Sequence, residues 1–521
     1  MAVLSAPSSA SARDGRRFLR ELDRRLERLD RAILVADWDL FTGRSARGSA
    51  PWQMRRSALL SDERILRWAR RALERGWPPL ERRRLELLER VVLDTQVEQH
   101  PDVVRLRREL QRRIVTFRPR WQGRRVHRIH ARRILESDPH AANRRRAYYA
   151  SEPFPRSLEE PLRELIRLRN ERARAGGYRT FAEMRLGFEG VTPSRLDALI
   201  ESAVAPVPRP ARRLRDLFAT ATGRAGWEPW DFLYAQERRV PLPDRSFPMR
   251  SMLPTILRAV AGWGFRTARM RFRVVFHDLA AGGLTLAPDP PRDIRILVHP
   301  RGGWSSYHVM FHEVGHAVHS AAIRAPRHLL RWHENGPGFG GLHEGIGALF
   351  EQIPLSAAWL SAQPGIGRER AEEFARARSD RDLLGAWTAA WIGIEQALYR
   401  DPDRDPMPEF QRIQRRLFGY GPSPPLSFVD SFYVESPVYA PNYLLATLFQ
   451  YQIARTLRER FGEPRWPNSK VGPWLAREWF APGSVYDWVP RIRAVTGRPF
   501  GASDFRAAFR DEGPPSRVEG A

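Results

Sequence analysis

Residues 308–320 read HVMFHEVGHAVHS: four histidines and a glutamate within thirteen residues, in a chain that has 13 histidines in all. On a helix, His312 and His316 lie one turn apart on the same face, so both imidazoles can reach one ion. Glu313 sits one residue round, close to that ion without having to bind it. The pattern constrains the fold in three ways. It needs a helix here, an apolar support behind it, and a second element that brings another ligand, because a catalytic zinc takes three protein ligands and leaves one position for water. Phe311, Val314, Val318 and Ala322 supply an apolar stripe. Gly302 and Gly303 precede the helix, Ser305 or Ser306 is placed to cap it, and Pro326 to close it.

The third ligand is sought downstream. Glu344 lies in GLHEGIGALFE, 28 residues after His316, and a Gly-rich loop before it can turn the chain back. Gly345, Gly347 and Ala348 are small enough to let such a helix approach the first one. His343 is a rival ligand. His308 and His319 share the stripe of His312 and read as packing or supporting residues, with metal ligation as the alternative. Glu351, seven residues after Glu344, either hydrogen-bonds a ligand histidine or makes an ion pair. The expectation is one Zn²⁺ per chain on His312, His316 and Glu344. No cysteine is present, so there is no disulfide, no thiolate nucleophile and no Cys-type zinc site.

The net charge of +27 raises nucleic acid or an anionic membrane as a partner. The details argue against it. Of the 87 basic residues all but Lys470 are Arg, and Asn is rare while Ala, Gly and Pro abound. That skew follows G/C-rich codons rather than selection for phosphate contacts. The arginines also stand beside glutamates, as in ELDRRLERLD, which reads as solvated helix faces with ion pairs. No nucleic acid is expected as a partner, although the Arg-rich surface keeps a nucleic-acid or acidic-partner binder as an alternative. The first residues lack the apolar core of a signal peptide. The longest charge-free stretch, 436–454, contains two prolines and two glutamines and reads as a buried helix rather than a bilayer span. A cytoplasmic location with no membrane partner is expected, and nothing in the sequence specifies an oligomeric state.

Helical periodicity dominates. Phe18, Leu22, Leu26, Leu29 and Ile33 are spaced for one helix face over 14–36. Similar patterns cover 57–118, 121–150, 157–175, 193–222, 253–262, 369–399, 406–417 and 441–461. Residues 1–13 and 512–521 are unpatterned and are expected to be disordered. Only one region has period two: RFRVVFHD and DIRILVHP read as strands, with room for a third in AAGGLTLAPDPP between them. The fold class is mainly α, with a small β-sheet beside the HExxH helix.

Here the chain resembles a known group. HEVGHAVHS is similar to the zinc helix of the thimet oligopeptidase and oligoendopeptidase F family, HExGHxxH. PWDFLYA at 229–235 and LIRLRNERARAGGY at 165–178 resemble other blocks of that family, in the same order. GLHEGIGALFE and NYLLATLFQYQIA also resemble angiotensin-converting enzyme and its relatives. The resemblance spans about residues 125–510. It implies a large helical ellipsoid split by a deep central channel, with a catalytic region over 125–511 and a helical N-terminal region, 14–124, acting as a lid. It implies a zinc metallopeptidase that hydrolyses peptide bonds of oligopeptides, with Glu313 as general base for a zinc-activated water. Tyr443 matches the tyrosine that steadies the tetrahedral oxyanion, and Tyr439 is the substitute.

The chain departs from the pattern in one respect. Relatives place a substrate-binding histidine shortly before that tyrosine, and no histidine follows His343 here. Tyr433 is the candidate to fill the space. The Lys and His that hold a substrate C-terminus in angiotensin-converting enzyme have no counterpart, which favours endo-cleavage. The missing histidine also motivates an alternative, a zinc-binding but catalytically inert member of the group.

Overall fold

Helices make up 68% of the structure, a computed structural model that describes every residue except 1–11, 151–152, 206–215, 217, 221, 224–227, 238–241, 278–281, 301, 332–336, 380, 419–422, 463–465 and 510–521. The class is mainly α, as expected. One hydrophobic core runs through residues from Phe18 to Phe509. Among the described residues no helix is long and apolar enough to cross a membrane. The first helix, Ala12–Phe41, buries Phe18, Leu22, Leu26 and Leu29. It starts two residues earlier than the sequence suggested. The rest of the expected disordered N-terminus, the expected disordered tail and most of 206–217 lie outside the described residues.

The period-two segments form a three-stranded sheet with Asp293–Val298 in the centre. Phe272–Phe276 pairs with it in parallel and Gly283–Asp289 antiparallel, so the tentative third strand is real. Strand alternation explains how the centre is buried on both faces. Ile294, Ile296 and Val298 enter the main core, whereas Leu297 joins a satellite cluster with Leu286 and with Leu34 and Trp38 of the first helix. Arg295 extends over the Trp38 ring on that same side. The first helix thus covers the outer face of the sheet, and the HExxH helix, Gly303–Ala322, packs against the sheet as well.

Two further helices complete the surroundings of the site. Gly340–Phe350 packs between the HExxH helix and the long helix Ala440–Phe461. The charge-free stretch is therefore a buried helix, as read. Many surface arginines pair with a glutamate one turn away, as in Arg25–Glu21, Arg82–Glu86, Arg368–Glu372 and Arg455–Glu459. That is the solvated ion-pair pattern inferred from the sequence.

Candidate metal centre and active site

The HExxH segment is helical throughout, and 16 of its 20 residues are buried. It is buried nearly all round, where the sequence stripe indicated one apolar face. Its N-cap is Gly302, so Ser305 and Ser306 lie inside the first turn and neither caps it. The spacing of four does its work: the Nε2 atoms of His312 and His316 lie 2.9 Å apart. Glu344 Oε2 is 3.4 Å from His312 Nε2. Donor atoms of His312, His316 and Glu344 all fall within 4.8 Å of one another. Two imidazoles and a carboxylate converging in a mostly buried place fit a divalent metal that takes nitrogen and oxygen ligands.

Close packing sets this convergence. A methyl group on Gly347 would stand 2.5 Å from His312 Cε1, so the second helix meets the His312 ring at a residue that has no side chain. Gly345, grouped with it in the sequence reading, faces Phe449 of the long helix instead. The His343 ring stacks on His316 at 3.7 Å, nearly parallel, and stands beside the metal donors rather than among them. His319 packs near Phe480, and His308 near Trp304. Glu351 lies between two of the histidines. Its Oε1 is 3.0 Å from His312 Nδ1 and its Oε2 3.4 Å from His308 Nε2. A carboxylate on the far nitrogen of a ligand histidine fixes the ring and its tautomer.

Glu313 points to the other side, toward the sheet. Thr285 donates to Glu313 Oε2 at 2.7 Å, from the edge strand Gly283–Asp289. Gly283, on the same strand, lies against the carboxylate, where a methyl would stand 2.7 Å from Oε1. Burial pushes the Glu313 carboxyl up to about 7, against the pull of His312 and Thr285. Burial works against a charged His312 too, but the Glu344 and Glu351 carboxylates outweigh it and raise its pKa well above the ordinary value. Burial would raise Glu344, yet His312 and the Tyr439 hydroxyl hold it below the ordinary carboxylate range.

The two tyrosines differ in their surroundings. The Tyr439 hydroxyl donates to Glu344 Oε1 at 2.6 Å. Tyr443, one turn on, is 42% exposed, and its hydroxyl makes no hydrogen bond among the described residues. Partial burial raises its pKa, and the nearby Glu344 and Glu313 charges add to the rise, so it carries its proton at neutral pH. Tyr433 is the residue named for the place of the missing histidine. It is buried, and its hydroxyl donates to the Trp391 carbonyl at 2.6 Å.

Two supports escaped sequence reasoning. One is Thr285. The other is Glu189, whose carboxylate accepts from the backbone N–H groups of Gly340 and Gly341 at 2.8 and 3.3 Å and from Trp488 Nε1 at 2.9 Å. It thereby caps the helix that presents Glu344. Neither has a local motif: Glu189 is about 150 residues from the helix it caps.

The chain shares its fold with solved carboxypeptidases and with a protein assigned as oligoendopeptidase F, one of the names the zinc-helix resemblance had raised. It superposes on the Pyrococcus furiosus carboxypeptidase with a TM-score of 0.65 and 16% identity, covering 95% of this chain and 97% of that one. It superposes on Trypanosoma cruzi metallocarboxypeptidase 1 with a TM-score of 0.66 and 18% identity, covering 95% and 99%. A protein assigned as oligoendopeptidase F gives 0.66 and 15%, over 96% and 92%. At such identities the likeness establishes the fold. No family model matches the chain, and no curated protein matches its sequence.

Proposed function

We propose that the chain is a zinc-dependent peptidase of oligopeptides. The observation that carries this is the convergence of His312, His316 and Glu344 beside a buried Glu313 that is not one of the three donors. Bound at those donors, Zn²⁺ would supply a Lewis acid for the scissile carbonyl and would acidify a water. Glu313 takes the proton of the attacking water at its carboxylate and returns it to the leaving amine. Thr285 keeps one Glu313 oxygen oriented through its hydrogen bond, leaving Oε1 for the water. Tyr443 donates a hydrogen bond from its hydroxyl to the developing oxyanion, and Tyr439 holds Glu344 in place. The edge strand Gly283–Asp289, which carries Thr285 beside Glu313, would pair with an extended substrate backbone. On this reading residues 125–511 carry the chemistry and 14–124 narrow the entrance to a channel.

A library of quenched peptides, assayed with and without chelator, tests the reading. Chelator-sensitive cleavage is expected, and Glu313→Gln should keep its metal while kcat falls at least about 10²-fold. No cleavage of any peptide by the metal-loaded chain would favour the inert alternative. The two neighbours named as carboxypeptidases support a second reading, exo-action from the C-terminus. Peptides with an amidated C-terminus separate the two, because endo-cleavage tolerates the amide and carboxypeptidase action does not.

A further inference from the structure

The segment that leads into the tyrosine helix is held in an unfavourable shape. Val438 has φ +55°, in the left-handed region that a β-branched residue rarely enters. Such a conformation persists only where surrounding contacts over-determine it. The contact here is a side chain from another helix. Glu395, on Arg381–Arg400 and 1% exposed, accepts the Val438 N–H at 2.7 Å through Oε1. One turn earlier on that helix, the Trp391 carbonyl accepts the Tyr433 hydroxyl. The same face of one helix therefore holds both ends of the segment 433–438.

We propose that Glu395 is a positioning residue for the two active-site tyrosines: it fixes the Val438 turn from which the helix carrying Tyr439 and Tyr443 departs. The proposal rests on the peptidase reading above. Glu395 is not needed as a charge. Its Oε2 has no hydrogen-bond partner among the described residues. The charged groups that act on it are Arg169, Arg185 and Asp430, and Arg169 is already committed to Glu98 and to the Tyr433 and Val434 carbonyls. Burial pushes the carboxyl up to about 8, so at neutral pH it is mostly the neutral acid. A neutral acceptor of the same length should then serve as well. Removing the acceptor should leave an unpaired N–H on a strained residue, and the turn should relax.

The test uses the full chain with Glu395→Gln, Glu395→Leu and Glu395→Leu combined with Val438→Gly. Two readouts are taken: amide exchange in the metal-free protein, and kcat and KM on a quenched peptide with zinc. Glu395→Gln should match wild type in exchange and stay within about threefold in kcat. Glu395→Leu should speed exchange at least about tenfold over 436–442 and not elsewhere. Its kcat should fall at least about tenfold with KM little changed and one zinc per chain retained. Glycine adopts positive φ freely, so Val438→Gly should recover most of that kcat. A role in packing alone would not be rescued by a smaller side chain. Unchanged exchange in Glu395→Leu, or failure of Val438→Gly to restore kcat, overturns the proposal. If Glu395→Leu does not fold, Glu395→Asp carries the test: it keeps the acid but shortens its reach, and wild-type exchange would overturn the idea. A wild type that cleaves no peptide would defeat the peptidase reading, and the exchange data would still decide the positioning.

Discussion

The ligand helices and the tyrosine segment meet at one hydrogen bond, Tyr439 to Glu344, yet different forces hold them. The ligand pair is a product of close packing: two helices in contact at Gly347 and His312, with the two histidines set by the turn of a single helix. The tyrosine segment is held by buried polar groups from distant parts of the chain. Arg169, itself clamped by Glu98 at 2.7 Å, donates to the carbonyls of Tyr433 and Val434 at 2.8 and 3.0 Å, and Glu395 accepts from Val438. On the proposed reading, the contrast means that metal binding and oxyanion stabilisation can fail separately. The first depends on shape near residues 312–351, the second on a few long-range polar ties.

The largest effect should come from breaking such a tie. Arg169 is fully buried, and Arg169→Met would leave Glu98 with only Arg107 and would orphan two carbonyls. Removing one partner of a buried ion pair costs about 3–5 kcal/mol, so urea unfolding should show a loss of that size. A loss below about 1 kcal/mol would mean that the segment is held by packing after all, like the ligand helices. Next in size is Tyr443→Phe, which should lower kcat by about 10²–10³ with metal content unchanged. Tyr439→Phe should instead weaken metal binding, because it removes a hydrogen bond to an ionised ligand worth about 1.5–3 kcal/mol. Should Tyr439→Phe lose kcat with full metal content while Tyr443→Phe stays active, the two roles are reversed.

The same contrast explains what the sequence disclosed. HExxH is local: the spacing of four implies the geometry directly, and Glu344 follows from a small-residue helix after a Gly-rich loop. The strands were visible through Ile294, Ile296 and Val298, although only pairing revealed that DIRILV is central and that Gly283–Asp289 is the edge beside Glu313. The polar ties were illegible. Nothing near Glu395 or Arg169 marks them as holding residues 433–438, some 40 and 264 positions away. The blocks PWDFLYA and LIRLRNERARAGGY are resemblances in the sequence and find a physical account only in the structure. Asp231 pairs with the buried Arg144 at 2.7 Å, and Arg169 and Asn170 tie the helix 159–175 to carbonyls elsewhere. The Ser305 or Ser306 cap failed because glycine takes that position.

The packing side of the comparison is tested by adding one methyl group. Gly347→Ala places it 2.5 Å from the His312 ring, so the ring or the helix must shift. Overpacking of this kind costs about 1–3 kcal/mol, read as weaker zinc binding and a lower Tm of the zinc-loaded protein. Gly187→Ala is the control, because nothing lies within 4 Å of its added methyl. That change should be neutral or stabilising by up to about 1 kcal/mol, since alanine suits a helix better than glycine. Equal losses in both would show that contact with His312 is not the cause.

The smallest effect is expected at Glu351, where the prediction turns on pH. Glu351 Oε1 holds the Nδ1 side of His312, and glutamine keeps an oxygen able to accept there. The loss of zinc affinity at high pH should be about tenfold, the low end for a group that supports a ligand histidine. Proton competition changes this at lower pH. In the metal-free protein Glu351 is one of the carboxylates that raise the His312 pKa, and zinc must displace that proton. Glu351→Gln removes part of the rise, so its His312 gives up the proton at a lower pH than wild type. Above the raised wild-type value both proteins are deprotonated at His312, and the full affinity gap shows. Below the variant's value both must lose a proton, but wild type holds its own more tightly, so the gap narrows. Zinc affinity measured by competition with a chromophoric chelator between about pH 6 and 9 brackets the ordinary histidine value near 6.5. A gap that stays constant over that range would mean Glu351 does not act on the His312 proton, and its 3.0 Å contact would then be a matter of packing alone.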